Sequence, residues 1–302
     1  MAEQIITAEN LPALREWFDF NYSTGCTIGQ LRETLLGSGY GKLDVEGFLA
    51  DAVARATARE AADLYDADAV GSGEEAVQRL WRRLDVINAF NQISLGDRTV
   101  RILAKNIGCG IYFIADFLAA EECAALTSGP GASLSRSLVF DEDDGTHLRT
   151  GSRSSHGATL RRGGSPMVRR IESRLSRLTA LPISHGEDLQ ILRYTVGGEY
   201  RPHFDYFDPA TPGGARVLAQ QSQRLATVIL YLGDVEGGGA TLFPELSLAF
   251  TPVQGAALLF TSMARDGSPL PTSLHCGCPV ASGEKWIATK WFRHRPHAVT
   301  GR

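Results

Sequence analysis

Residues 189–207 read LQILRYTVGGEYRPHFDYF, and this stretch decides the fold. An apolar run closes on Gly197 and Gly198, and a second extended run follows the glycine turn. His203 and Asp205 stand two positions apart in that second run. In extended chain, residues i and i+2 project to the same side, so an imidazole and a carboxylate are presented together.

Outward from it, the same pattern repeats. RLATVILYL (224–232), GAALLFTS (255–262) and KWIATKWFR (285–293) read as strands, and glycine-rich turns such as GDVEGGG (233–239) separate them. Upstream, VRILAKNIGCGIYFIADF (100–117) also reads as strands, and AAEECAALTSG (119–129) as a short helix ending near Gly129. Ser165 and Pro166 form an N-cap and first-turn pair, after which Met167, Ile171, Leu175 and Leu178 fall at helical spacing. That stripe is expected to lie on a sheet. Many short strands with helices before them point to an α+β fold, a β-sandwich or jelly roll backed by helices.

The first hundred residues read as a small helical N-terminal domain, 1–100, ahead of a catalytic domain, 101–302. Thr27 and Gln30 fit a capping box, with Gly37 placed to close that helix. Asp44 is the expected N-cap of the next helix. DADAVGSGEEA (66–76) reads as a linker and AVQRLWRRLDVINAF (76–90) as an amphipathic helix.

Composition narrows the function classes. A net charge of −4 over 302 residues gives no strong attraction to nucleic acid or an anionic membrane surface. No apolar run approaches bilayer length. The N-terminus lacks the basic and apolar pattern of a secretory signal, and the five cysteines show no disulfide spacing. A cytoplasmic protein with free thiols is therefore expected.

A His-x-Asp pair alone is more often a surface feature than a metal site. A third candidate ligand, His275, follows a later apolar strand. Two histidines and one carboxylate on one face leave the opposite face of a metal open, which is the arrangement of non-haem iron(II) oxygenases; the same ligands also suit zinc. Ten residues on, Lys285 and Lys290 share one strand but opposite faces. One of them must therefore point inward or lie near the strand's end.

Together, the segments at 189–207, 224–245, 255–262 and 274–296 resemble the catalytic domain of the prolyl 4-hydroxylases, members of the 2-oxoglutarate/iron(II) dioxygenase superfamily. The resemblance spans roughly residues 101–297 and implies a double-stranded β-helix. It implies His203, Asp205 and His275 as iron ligands, and Lys285 as the partner of the distal carboxylate of 2-oxoglutarate. It places Tyr194 and Thr241 in hydrogen bonds to the same carboxylate. Tyr200, Arg224 and Trp291 match positions near the substrate or the iron. The implied reaction hydroxylates an unactivated C–H bond, with Fe(II), 2-oxoglutarate and O2 required, ascorbate as reductant, and succinate and CO2 released. A proline-containing peptide or protein is the implied partner. A free amino acid or small metabolite, or a catalytically silent binding module on the same fold, are the alternatives. Oligomeric state is not legible.

Four features stand apart. Ala240 sits where many relatives carry an acidic residue. PATPGGARVLAQQSQ (209–223) is an insertion-like loop, expected near the mouth of the site with residues 136–158. Cys276 and Cys278 read as small core-facing thiols in preference to redox or zinc ligands. Eight arginines between Arg149 and Arg177 read as a solvated face, with an acidic partner as the alternative.

Overall fold

The computed structural model describes residues 4–23, 26–63, 73–129, 134–136, 139–140, 147–148 and 153–297. Among them, two antiparallel sheets carry the catalytic region. The larger has nine strands in the spatial order Gln92–Ser94, Thr99–Asn106, Ile111–Ala115, Ala257–Thr261, Arg224–Tyr231, Lys285–Arg293, Leu189–Tyr194, His156–Leu160 and Ser135–Arg136. The smaller has four, ordered Leu248–Phe250, Thr241–Phe243, His275–Gly277 and Tyr200–His203. The chain passes repeatedly between the two sheets, as a double-stranded β-helix requires.

Strand alternation explains the two cores. Leu192, Tyr194, Ile229, Tyr231 and Ile287 point inward and meet Phe243 and Phe250 of the smaller sheet. Their sequence neighbours Ile191, Val228, Leu230 and Ala288 point outward into a second core with the helices. Helix Pro166–Thr179 is capped by Ser165, which accepts from Val168 N, and lays Ile171, Leu175 and Leu178 on that outer face as the spacing predicted.

Both lysines of strand Lys285–Arg293 are buried. Lys285 faces the interior between the sheets, while Lys290 faces helix Pro166–Thr179 and donates to Glu172 Oε1 at 2.6 Å. The lysine that does not face the site is thus held by a buried carboxylate, not by solvent.

Three N-terminal helices, Leu11–Ser23, Ile28–Gly37 and Lys42–Asp63, have their own core around Phe18, Leu31, Val45 and Leu49. The capping box forms: Gln30 N donates to Thr27 Oγ1 and Thr27 N to Gln30 Oε1. The left-handed residue beyond this helix is Gly39, not Gly37. The next helix starts at Lys42, so Asp44 lies in its first turn and accepts from Ile6 N. The expected boundary at residue 100 cuts across this packing. Helix Gly73–Ala89 gives Val86 to the N-terminal core but Val77, Leu80, Trp81, Leu84 and Ile87 to the barrel's outer core. Trp81 Nε1 donates to Met263 O and Arg265 pairs with Asp85, and strand Gln92–Ser94 belongs to the large sheet.

The arginine run is not one solvated face. Arg174 is buried and forks onto both Asp97 and Glu122. Arg162 Nη1 donates to the carbonyls of Ser184, Gly186 and His297. Arg153 is buried beside the site described below, and Arg149 lies outside the described residues. The stretch 209–223 contains a helix, Pro212–Gln220, where a loop was expected, and Thr211 caps it. Most of 136–158 lies outside the described residues. None of the described helices is long and apolar enough to cross a membrane.

Candidate active site

His203 and His275 are cross-strand partners in the smaller sheet. Between Tyr200 and His203 the register slips by one residue, a bulge that includes Pro202, whose missing N–H costs the ladder nothing there. The strand ends at His203, and a bend, not a continuing strand, brings Asp205 round. Asp205 Oδ1 lies 3.8 Å from His203 Nε2, and Oδ2 lies 3.7 Å from His275 Nε2. One ligand atom from each residue lies within 4.8 Å of the others, making this the single three-residue metal-capable cluster among the described residues.

The surroundings suit a metal. His203 Nδ1 donates to Arg201 O at 2.8 Å and His275 Nδ1 to Ser273 O at 3.0 Å. Those bonds place the ring proton on Nδ1 and leave each Nε2 lone pair facing the cluster. Burial and the neighbouring His275 pull the His203 imidazole down to about 3, so it stays neutral. Burial pushes the Asp205 carboxyl up, but His275, His203, Arg224 and Thr227 outweigh it and hold it at about 2. Two imidazoles whose Nε2 atoms face the cluster and an ionised carboxylate form the donor set of a 2-His-1-carboxylate iron site.

One cavity of about 450 Å³ adjoins this cluster. Lys285, Ile287, Thr289 and Trp291 all line it, as alternation along their strand requires. Lys285 lies 5.8 Å from the Tyr194 ring centroid, its cross-strand partner. Thr241 also lines the cavity, and its hydroxyl pairs with the buried Tyr231 hydroxyl at 2.8 Å. Tyr200 stacks on the His203 ring with centroids 3.6 Å apart. Arg224 stacks on Trp291 at 4.1 Å. Trp291 Nε1 is buried with no partner among the described residues. All nine site residues read from the sequence therefore meet around one cavity.

The family model of the 2OG-Fe(II) oxygenase superfamily matches residues 189–293. A probable prolyl 4-hydroxylase 10 from Arabidopsis thaliana is 39% identical over 227 residues, covering 68% of this chain and 75% of that protein. The chain belongs to the prolyl 4-hydroxylase family. Prolyl 4-hydroxylase 5 of the same plant is 40% identical over 218 residues, 65% of this chain and 72% of its own. Among solved structures, the 2OG complex of a viral collagen prolyl hydroxylase from Paramecium Bursaria Chlorella virus-1 is 27% identical with a TM-score of 0.48, over 62% of this chain and 97% of that one. As a prolyl 4-hydroxylase family member the chain is a dioxygenase using Fe(II), 2-oxoglutarate and O2.

Several residues of this prolyl 4-hydroxylase site were not legible beforehand. Thr227 Oγ1 donates to Asp205 Oδ2 at 2.6 Å. Glu187 accepts from Arg224 Nε and Arg293 Nε, each at 2.7 Å, inside the cavity wall. Arg153 stacks on Tyr200 at 4.7 Å and donates to Ser155 and Gln190. Inward strand position was the only signal for Thr227. Glu187 and Arg153 lie before strands, where sequence periodicity says nothing about direction. Cys276 and Cys278 are free and half-buried, outside the three-residue cluster, so they are less fully core-facing than expected.

Proposed function

We propose that this enzyme hydroxylates a proline residue within a peptide or protein, with His203, Asp205 and His275 holding iron(II) and Lys285 holding the far carboxylate of 2-oxoglutarate. When bound, iron(II) and the keto acid would supply the electrons that activate dioxygen for attack on an unactivated C–H bond. The protein's part is positioning. The observation that carries the reading is that the metal-capable triad and the buried Lys285 ammonium line one cavity. A carboxylate at Lys285 gains a charge-assisted bond in a partly dry pocket. Tyr194 pairs across the sheet with Lys285, Tyr200 stacks on His203 and Arg224 stacks on Trp291, and all of them line the same cavity as Thr241. Arg224 is locked by Glu187, so its stacked guanidinium presents fixed donors to a substrate carbonyl. The relatives named above support proline as the target.

Succinate formation tests the proposal. The purified protein is incubated with iron(II), 2-oxoglutarate and ascorbate as reductant, with and without proline-rich peptides. Peptide-stimulated succinate and hydroxyproline are expected. Stimulation by free amino acids only would replace the peptide with a small metabolite. No succinate under any condition would overturn the reading.

A further inference from the structure

Gly277 lies in strand His275–Gly277, two positions after His275 and therefore on the same face. It registers with Thr241 on one neighbouring strand and Tyr200 on the other, and it lines the cavity. The inward position next to a candidate iron ligand thus carries no side chain.

Two ordinary reasons for a glycine fail here. Backbone conformation is one, but Gly277 is not among the residues with positive φ, so any L-residue fits its backbone. Crowding by protein is the other. A Cβ built at 277 would lie 3.7 Å from Tyr200 Cβ and 3.8 Å from Lys285 Nζ, ordinary contact distances. Gly238 shows the contrast: its φ is +70° and a Cβ there would lie 2.3 Å from Pro279 O. What remains at 277 is the space itself, bounded by the Lys285 ammonium, Thr241 and Tyr200.

We propose that Gly277 is the steric determinant of the cosubstrate. The volume a side chain would fill is taken by the carbon chain and distal carboxylate of the keto acid, so the missing Cβ sets the length and bulk that the pocket admits. The proposal rests on the reading of this cavity as the 2-oxoglutarate site.

Gly277→Ala and Lys285→Ala test it in full-length protein loaded with Mn(II) in place of iron, titrated calorimetrically with 2-oxoglutarate and with the shorter oxaloacetate under nitrogen. For Gly277→Ala, ligand-free Tm and Mn(II) affinity are expected to stay at their wild-type values. The Kd for 2-oxoglutarate is expected to rise about tenfold or more, as inserting a methyl into a filled pocket does. The Kd for oxaloacetate should rise less, so the preference between the two acids narrows. An unchanged Kd for 2-oxoglutarate overturns the inference. So does a matching fall in ligand-free Tm or Mn(II) affinity, because the glycine would then serve the strand or the metal. If Lys285→Ala alone leaves the Kd untouched while Gly277→Ala raises it, the Lys285 reading has failed and the steric role stands.

Discussion

Thr227 donates its hydroxyl hydrogen to Asp205 Oδ2 at 2.6 Å, across 22 residues of chain. Asp205 sits in a bend beyond the end of its strand, so its backbone alone does not fix the carboxylate. Thr227 sits on a central strand of the large sheet and is fully buried, and so supplies the rigidity.

Thr227→Val keeps the shape and removes that hydrogen bond. We predict a fold that survives and an iron(II) affinity lowered by about 10- to 100-fold, the usual consequence of losing a ligand's supporting partner. Equilibrium metal titration measures it. Wild-type affinity in the variant would mean that the bend positions Asp205 unaided.

Removing a ligand outright is a harsher change. His203→Ala and His275→Ala should each abolish peptide-stimulated succinate formation, and each should leave secondary structure intact by circular dichroism. Retained turnover in either variant would remove that histidine from the metal site.

Cosubstrate binding should depend on pH through Lys285. Burial lowers its ammonium from the ordinary 10.5 to about 8, so it is still mostly charged at neutral pH. The KM for 2-oxoglutarate should rise as pH climbs above 8, and in Lys285→Arg the rise should vanish, because a guanidinium stays charged. The stability effect has the opposite sign. Between 8 and 10.5 the unfolded chain binds more protons at this group than the folded one, so its contribution to stability grows with pH across that window.

Glu187 contributes with the same sign, in an acid window. Burial pushes its carboxyl up, but Arg224 and Arg293 outweigh it and bring it down from 4.5 to about 2. Its contribution to stability is full above 4.5 and is lost as pH falls towards 2. Glu187→Gln should flatten the urea midpoint across that window and raise the peptide KM by releasing Arg224. An unaltered acid profile would show that the two arginines are held by other partners.

Lys290 separates structure from catalysis on the same strand. It and Glu172 are both almost fully buried and paired at 2.6 Å. Lys290→Met should destabilise by about 3–5 kcal/mol, since it strands a buried carboxylate. Adding Glu172→Leu should recover much of that, though not all, because Glu172 also accepts from Gly163 N at 2.9 Å. Chemical denaturation measures both, and turnover per folded molecule should stay unchanged throughout.

Period-two alternation put Lys285, Ile287, Thr289 and Trp291 on one face, and all four line the cavity. The Thr27 box and the Ser165 cap were equally legible, because they are made by residues three apart. Arg224 was harder. Plain alternation would put it on the face of Ala226, away from the cavity. A bulge between the two, opposite Arg293 and Phe292, turns Arg224 inward. The resemblance, not the periodicity, pointed to it.

What the sequence by itself determined was the local content: residue types, strand period and helix caps, with the three candidate metal ligands pointed to by the family resemblance. Tertiary structure alone decided which carboxylate covers Lys290, which hydroxyl steadies Asp205, and what bounds the space at Gly277. The physical reason is that each of these joins side chains on elements far apart in the chain, and their closeness comes from strand order and register, which no local pattern encodes.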